Sequence, residues 1–450
     1  MNKTPLACLC ALALVMPSSA LFASNSGDEA EELREQIEQM QRQLLEMQSR
    51  LEGVEADRDE ERVARERVEA RVEQVAETAE EAAAADESGI DIGGAVRFQY
   101  VLEDYNDTNK ENNGTLELDT VRLNFDGTVG DVILSAEYRF YQYMNVVHHA
   151  WAGYDFSDTL QGQVGIHQVP FGVTPFNSHS FFFSSNYYLG LEDDYDFGVK
   201  LIHDDGPLNL QGAFYWNDEL GGADGYYGFD AGDSPNNLND RYSYDIVGVR
   251  APGEGTYANP SEGAYDASIF NLRGAYTFGY GSDFTTEVGL SAQFGDVVDG
   301  GGNSNGSQSA YALHLNSTFG AWNLMLQATE YEYDMDNGGT RMVVGAYDFF
   351  DTISSEATTY TANLAYSLPV NWGPVSNLQF YNNYSLVTDK SGGLEDTWMN
   401  VTGVSVASGG LFTYIDVITA ENQPFIGGTF DAPTDGGTNT RFNINFGYYF

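Results

Sequence analysis

After Gly89 this chain contains segments whose apolar residues fall at every second position, and such segments recur up to Phe450. Successive side chains of a strand point to opposite faces, so a period of two describes segments with one apolar and one polar face. Val96, Phe98, Tyr100 and Leu102 alternate with Ala95, Arg97, Gln99 and Val101. In the last segment Phe442, Ile444, Phe446, Tyr448 and Phe450 alternate with Arg441, Asn443, Asn445, Gly447 and Tyr449. An edge strand of a soluble protein would not present five large apolar side chains to water. A membrane strand would, with its apolar face toward lipid and its polar face toward a lumen.

Sixteen strands are expected, at 91–102, 115–127, 131–143, 146–156, 159–167, 195–203, 207–216, 267–278, 284–295, 308–318, 321–333, 357–368, 375–387, 397–407, 410–420 and 438–450. Short turns alternate with long polar connections at 103–114, 168–194, 217–266, 296–307, 334–356, 388–396 and 421–437. Short turns at one rim and long loops at the other are the pattern of an outer-membrane β-barrel. Tyr242–Arg250 could be a further strand, but an odd count would break the alternation, so it is placed within 217–266. The expectation is an all-β, 16-stranded antiparallel transmembrane barrel at 89–450, with 18 strands as the alternative.

The residues before Gly89 read differently. Lys3, the apolar run Leu6–Met16 and the small residues around Ala20 form a signal peptide at 1–23, cleaved after Ala20 or Ala23. Cys8 and Cys10 both lie inside it, so the mature chain is expected to have no disulfide or thiol chemistry. Between 24 and 88, Leu33, Ile37, Met40, Leu44, Met47, Leu51 and Val54 step by four and three, and the phase resumes at Val68. That pattern predicts an α-helical coiled-coil stalk.

Net charge is −47, from 67 Asp and Glu against 20 Lys and Arg, which excludes a basic nucleic-acid-binding face. An aromatic content of 14% supplies the apolar surface to fold. The acids sit mainly in the stalk and loops, for example Glu192, Asp193, Asp194, Asp218, Glu219, Asp348 and Asp351. They read as a solvated, repulsive surface, with binding of Ca²⁺ or Mg²⁺ as the alternative. By contrast Arg97, Arg122, Arg139, Lys200, Arg273 and Arg441 fall at lumen parity. Arg441, Arg97, Arg122 and Arg139 lie on strands that become neighbours once the barrel closes. They form either a cationic strip that favours anions or a set of braces for lumen acids such as Glu137, Asp196 and Glu287.

The connection 168–194 is too apolar for a loop in water: Pro170, Phe171, Gly172, Phe176, His179 and Phe181 to Phe183 crowd it. It is expected to fold into the barrel as a constriction loop. His167 and His179 have no third ligand, and His148 and His149 should point to opposite faces, so no metal site is expected from the histidines. No nucleophile elbow or catalytic triad stands out, so neither enzymatic activity nor a cofactor is expected.

Val121-Arg122-Leu123-Asn124-Phe125-Asp126-Gly127 is similar to a second-strand motif of the phosphate-selective porin O/P-type family. Val164-Gly165 through Pro170-Phe171-Gly172 resembles the segment that leads into that family's constriction loop. The stalk ahead of the barrel resembles DcaP-like trimeric porins. The resemblance implies a homotrimer in the outer membrane of a Gram-negative bacterium, with the stalk in the periplasm, and passive uptake of small hydrophilic solutes, leaning toward phosphate or dicarboxylates. Phe442, Ile444, Phe446, Tyr448 and Phe450 resemble the signal read by the outer-membrane assembly machinery. Lipid, lipopolysaccharide and peptidoglycan are the other partners expected, and nucleic acid is not. The alternative is a structural barrel that tethers the outer membrane to the cell wall.

Overall fold

Alternating side chains are the reason these segments form strands rather than helices, and a sheet in lipid must close on itself to leave no backbone group unpaired. The computed structural model describes residues 89–221, 241–247, 264–299, 302–347 and 349–450. The expected signal peptide and coiled coil lie outside them. Nineteen strands occur among the described residues: β1 (Ile90–Glu103), β2 (Thr115–Val129), β3 (Val132–Phe140), β4 (Asn145–Ser157), β5 (Leu160–Gln168), β6 (Tyr195–Asp204), β7 (Leu208–Asp218), β8 (Asp245–Ile246), β9 (Tyr265–Phe278), β10 (Phe284–Val298), β11 (Ser304–Phe319), β12 (Trp322–Met335), β13 (Arg341–Ala346), β14 (Phe349–Ser354), β15 (Glu356–Trp372), β16 (Val375–Thr388), β17 (Thr397–Ser408), β18 (Leu411–Glu421) and β19 (Thr438–Tyr449). Among the described residues one short α-helix, α1 (Asp107–Glu111), follows β1.

Sixteen of the strands form a closed antiparallel barrel, each paired with its neighbours in chain order. Closure is made by β1 against β19, with Arg97 opposite Gly447 and Phe98 opposite Phe446. Gly94 and Phe450 exchange both backbone hydrogen bonds, at 2.9 and 3.0 Å, and seal the short-turn end of that seam. Along β19, Arg441, Asn443, Asn445 and Gly447 are buried inside, while Tyr448 and Phe450 are exposed outside. Leu201, Leu210, Phe270, Leu272, Leu290 and Leu313 lie on the outer apolar face, and Tyr280, Trp322 and Trp372 are exposed near the short turns. An apolar belt with aromatic rims is what a bilayer selects. The tight turns use left-handed backbone, as at Gly409 (φ 59°), where a side chain would be strained.

Two of the long connections contain strands of their own, outside the barrel. Within 334–356, β13 and β14 form a hairpin that pairs through β13 with β8. Residues 342–346 and 350–354 are buried on both faces, so these strands show no alternation. The possible strand at Tyr242–Arg250 is thus partly strand, at Asp245–Ile246, but it belongs to this separate three-stranded sheet. The buried apolar core also includes Met342, Val344, Ile353 and Ile246 from this sheet, together with Tyr187, Tyr188 and Leu189 of the 168–194 connection.

Candidate functional site in the barrel lumen

The connection between β5 and β6 crosses the lumen and docks its backbone on the opposite wall. Buried backbone groups need partners, and the inward side chains of β9 to β16 supply them. Gly172 N donates to Ser291 Oγ (3.0 Å) and Val173 N to Gln327 Oε1 (2.9 Å). Asn363 Nδ2 donates to Asn177 O (2.7 Å), His179 N to Asn383 Oδ1 (3.2 Å) and Ser185 N to Ser385 Oγ (3.1 Å). Two of the six expected lumen cations hold this loop. Arg273 Nε donates to Gly172 O (2.8 Å) while its Nη2 meets Glu287 (2.6 Å), and Lys200 Nζ donates to Gln168 O (2.9 Å).

The other four cations stand on the facing wall. Arg97 pairs with Asp119 (2.7 Å), Arg441 with Glu103 (3.2 Å), and Arg139 with Glu137, which also lies 3.9 Å from Arg122. Arg122 and Arg139 are directly opposite in the β2–β3 ladder. The loop presents rings to them: the guanidinium carbon of Arg97 is 5.3 Å from the centre of Phe181, and that of Arg441 is 5.0 Å from Phe182. Such cation–π contacts leave guanidinium N–H groups free for other acceptors. Between wall and loop lies a cavity of about 480 Å³. Arg97, Arg122, Arg139 and Arg441 line it, with Asp119 the one carboxylate among its lining residues.

The constriction-loop residues separate by role. Pro170, Phe171 and Gly172 are buried toward the β9–β12 side, and Phe182 is buried beneath Arg441. Phe176, His179 and Phe181 line the cavity. The outward residues Phe442, Ile444, Phe446 and Tyr448 lie on the opposite face of the barrel wall from this site.

Three sequence readings require correction. The acids at Glu192, Asp193, Asp194, Asp218 and Asp351 are buried rather than solvated, because their segments fold inward. Glu192 accepts from Asn177 N (2.8 Å), Ser184 N (3.1 Å) and the Ser184 hydroxyl, and burial pushes its carboxyl up to about 7. Burial likewise raises Asp193 to about 7. Asp348 lies outside the described residues. Asp196 does not pair with any of the six cations; Glu137 and Glu287 do. Third, His148 and His149 do not point apart: a register shift in the β3–β4 ladder turns both inward, with their Nδ1 atoms 2.8 Å apart.

Sequence reasoning missed the aromatic lining. Tyr141, Tyr414 and Tyr449 surround the cavity together with Tyr187, Tyr188, Tyr242 and Tyr347. The first three carry lumen parity and could have been found by it. The other four come from connections, where no periodicity marks which way a ring turns. Asp119, within β2, was hidden for another reason, a shift of the β1–β2 register next to Arg97.

No family model matches the chain, and no curated protein sequence does. Among solved structures, Salmonella typhi OmpF in complex with daunomycin is similar with a TM-score of 0.50 at 12% identity, over 80% of this chain and 97% of that one. The anion-selective porin from Comamonas acidovorans gives 0.49 at 13% identity, over 81% of this chain and 100% of that one. The outer-membrane channel DcaP of Acinetobacter baumannii gives 0.49 at 10%, over 81% of this chain and 97% of that one. The described residues form a porin-like transmembrane β-barrel of 16 strands.

Proposed function

We propose that this chain is an outer-membrane porin of a Gram-negative bacterium, giving passive diffusion of small hydrophilic solutes with a lean toward anions such as phosphate or dicarboxylates. The observation that carries the reading is the cavity between loop and wall, lined by four arginines and one carboxylate. Cations lining a passage lower the barrier for anions, because charge rings and rows set selectivity. No step of this function requires a catalytic residue or a cofactor. Segment 1–23 directs export, and residues 24–88 form a periplasmic coiled coil that locks a homotrimer or meets peptidoglycan. The outer apolar belt contacts lipid and lipopolysaccharide, and the alternation ending at Phe450 is presented to the assembly machinery.

Planar-bilayer recording tests this directly. The expected result is an open channel whose reversal potential in a salt gradient reports anion preference. A barrel that stays closed at all voltages would sink the porin reading in favour of a structural tether, and a cation preference would refute the role of the arginine wall.

A further inference from the structure

A second charged cluster lies at the long-loop end of the lumen, built from other residues. Asp194 precedes β6 and Asp196 lies within it; Asp218 ends β7 and Glu219 follows; Asp245 is in β8 and Asp266 in β9. Asp196 faces Asp218 across the β6–β7 ladder. One oxygen from each of Asp194, Asp196 and Asp245 lies within 4.8 Å of the other two, and the residues are 8%, 1% and 6% exposed. Buried carboxylates in such number require compensating charge or shared protons.

Arg241 supplies part of it. It reaches Asp218 (2.9 Å), Glu219 (3.2 Å) and Asp245 (2.7 Å), and Gln308 Nε2 donates to Asp266 (2.7 Å). Lys200, on the same strand as Asp196, donates to Gln168 O instead. The opposite side of the cluster has no such answer. Asp194 Oδ1 and Asp196 Oδ1 are fully buried and have no hydrogen-bond partner. Ser243 and the Tyr195 N–H serve the Asp194 carboxylate, but no donor reaches either Oδ1, and the two lie beside a third carboxylate as a set of hard oxygen donors.

We propose that Asp194, Asp196 and Asp245 hold a divalent cation, and that the ion is Ca²⁺. All the donors are hard oxygens, which disfavours zinc. Calcium binds oxygen at roughly 2.3–2.6 Å, so two of its ligands can stand up to about 5 Å apart, whereas magnesium at roughly 2.0–2.1 Å draws them closer and demands a near-ideal octahedron. Oxygens within 4.8 Å of one another can share one calcium shell, and calcium's flexible geometry suits donors that come from three separate segments. The ion joins three separate segments: the end of the inward loop at Asp194, the barrel wall at Asp196 and the three-stranded sheet at Asp245. It acts as a clip that fastens loop and sheet to the wall.

The test uses the purified full chain in detergent, stripped with chelator and then dialysed against Ca²⁺. Elemental analysis should find one tightly held Ca²⁺ per chain. Tb³⁺ should bind in its place with emission sensitised by the adjacent Tyr215 and Tyr333, and Ca²⁺ should displace it. Asp196→Asn and Asp194→Asn should each weaken binding at least about tenfold, since ligand charge sets affinity at such sites. Asp107→Asn, an exposed acid in α1, should bind as the wild type does. Added Ca²⁺ should raise the thermal midpoint of the wild type but not of the two cluster variants. Wild-type protein that retains no Ca²⁺ overturns the proposal, even if the variants fail to fold. Undiminished binding by Asp196→Asn and Asp194→Asn overturns it as well, leaving shared protons to neutralise the cluster.

Discussion

The wall made by β19, β1, β2 and β3 carries Arg441, Arg97, Arg122 and Arg139, whereas the wall made by β10, β12, β15 and β16 carries Ser291, Gln327, Asn363 and Asn383 at equivalent inward positions. Amides and hydroxyls both donate and accept, so they can satisfy the mixed N–H and C=O groups of a loop backbone. Guanidinium only donates, and a backbone laid against it would leave its own N–H groups without acceptors. The loop therefore hydrogen-bonds mainly to the neutral wall, gives two carbonyls to Arg273 and Lys200, and offers rings to the four-arginine wall. One wall is occupied by the protein itself, and the other keeps donors turned toward a cavity.

The largest test of that contrast removes the cations. Replacing Arg97, Arg122 and Arg139 together with Ala leaves Glu137 and Asp119 in the wall, and the reversal potential should move from anion toward cation preference. An unchanged reversal potential would assign the three arginines to bracing alone. Next in size, Phe182→Ala should cost about 3–5 kcal/mol for truncating a buried ring and raise single-channel conductance. A conductance equal to the wild type's would mean that the loop does not narrow the passage. On the loop itself, Glu192 stays protonated in the folded protein from its usual 4.5 up to about 7, where an unfolded glutamate has already ionised. The folded state then binds more protons over that interval and loses stability as pH rises through it. The thermal midpoint should be higher at pH 5 than at pH 8, and Glu192→Gln should flatten part of this slope. The smallest effect is a geometric one. A Cβ at Gly447 would lie 2.5 Å from Arg97 Cγ, so Gly447→Ala should displace the guanidinium and reduce anion preference with no change in charge. Equal selectivity in that variant would show that the position of Arg97 is immaterial.

Much of the barrel was legible because lipid imposes a rule that sequence must obey residue by residue. Phe442 to Phe450 alternate since one face meets hydrocarbon, and the same parity put Arg97, Arg122 and Arg139 inside. The inward-folded connections obey no such rule. Met342, Val343 and Val344 are buried on both faces of a short strand, so the sheet of β8, β13 and β14 left no period to read. Asp194 and Asp218 looked like surface charge because composition marks a residue as polar but not whether its segment turns inward. His148 and His149 were misplaced by one register shift, which reverses the parity on which the reading depended.

The seam between β1 and β19 also orders events in time. Arg97 and Arg441 stand near opposite ends of the barrel's sequence and come onto one wall only when those two strands pair, Arg97 opposite Gly447 and Arg441 opposite Glu103. Contacts of such sequence separation form late, because the chain between them must first be ordered. A barrel caught before closure would already have its loop-docking wall, built from β9 to β16, but only part of its cationic one. The charge pattern proposed to discriminate among solutes would then be the last part of the protein to exist.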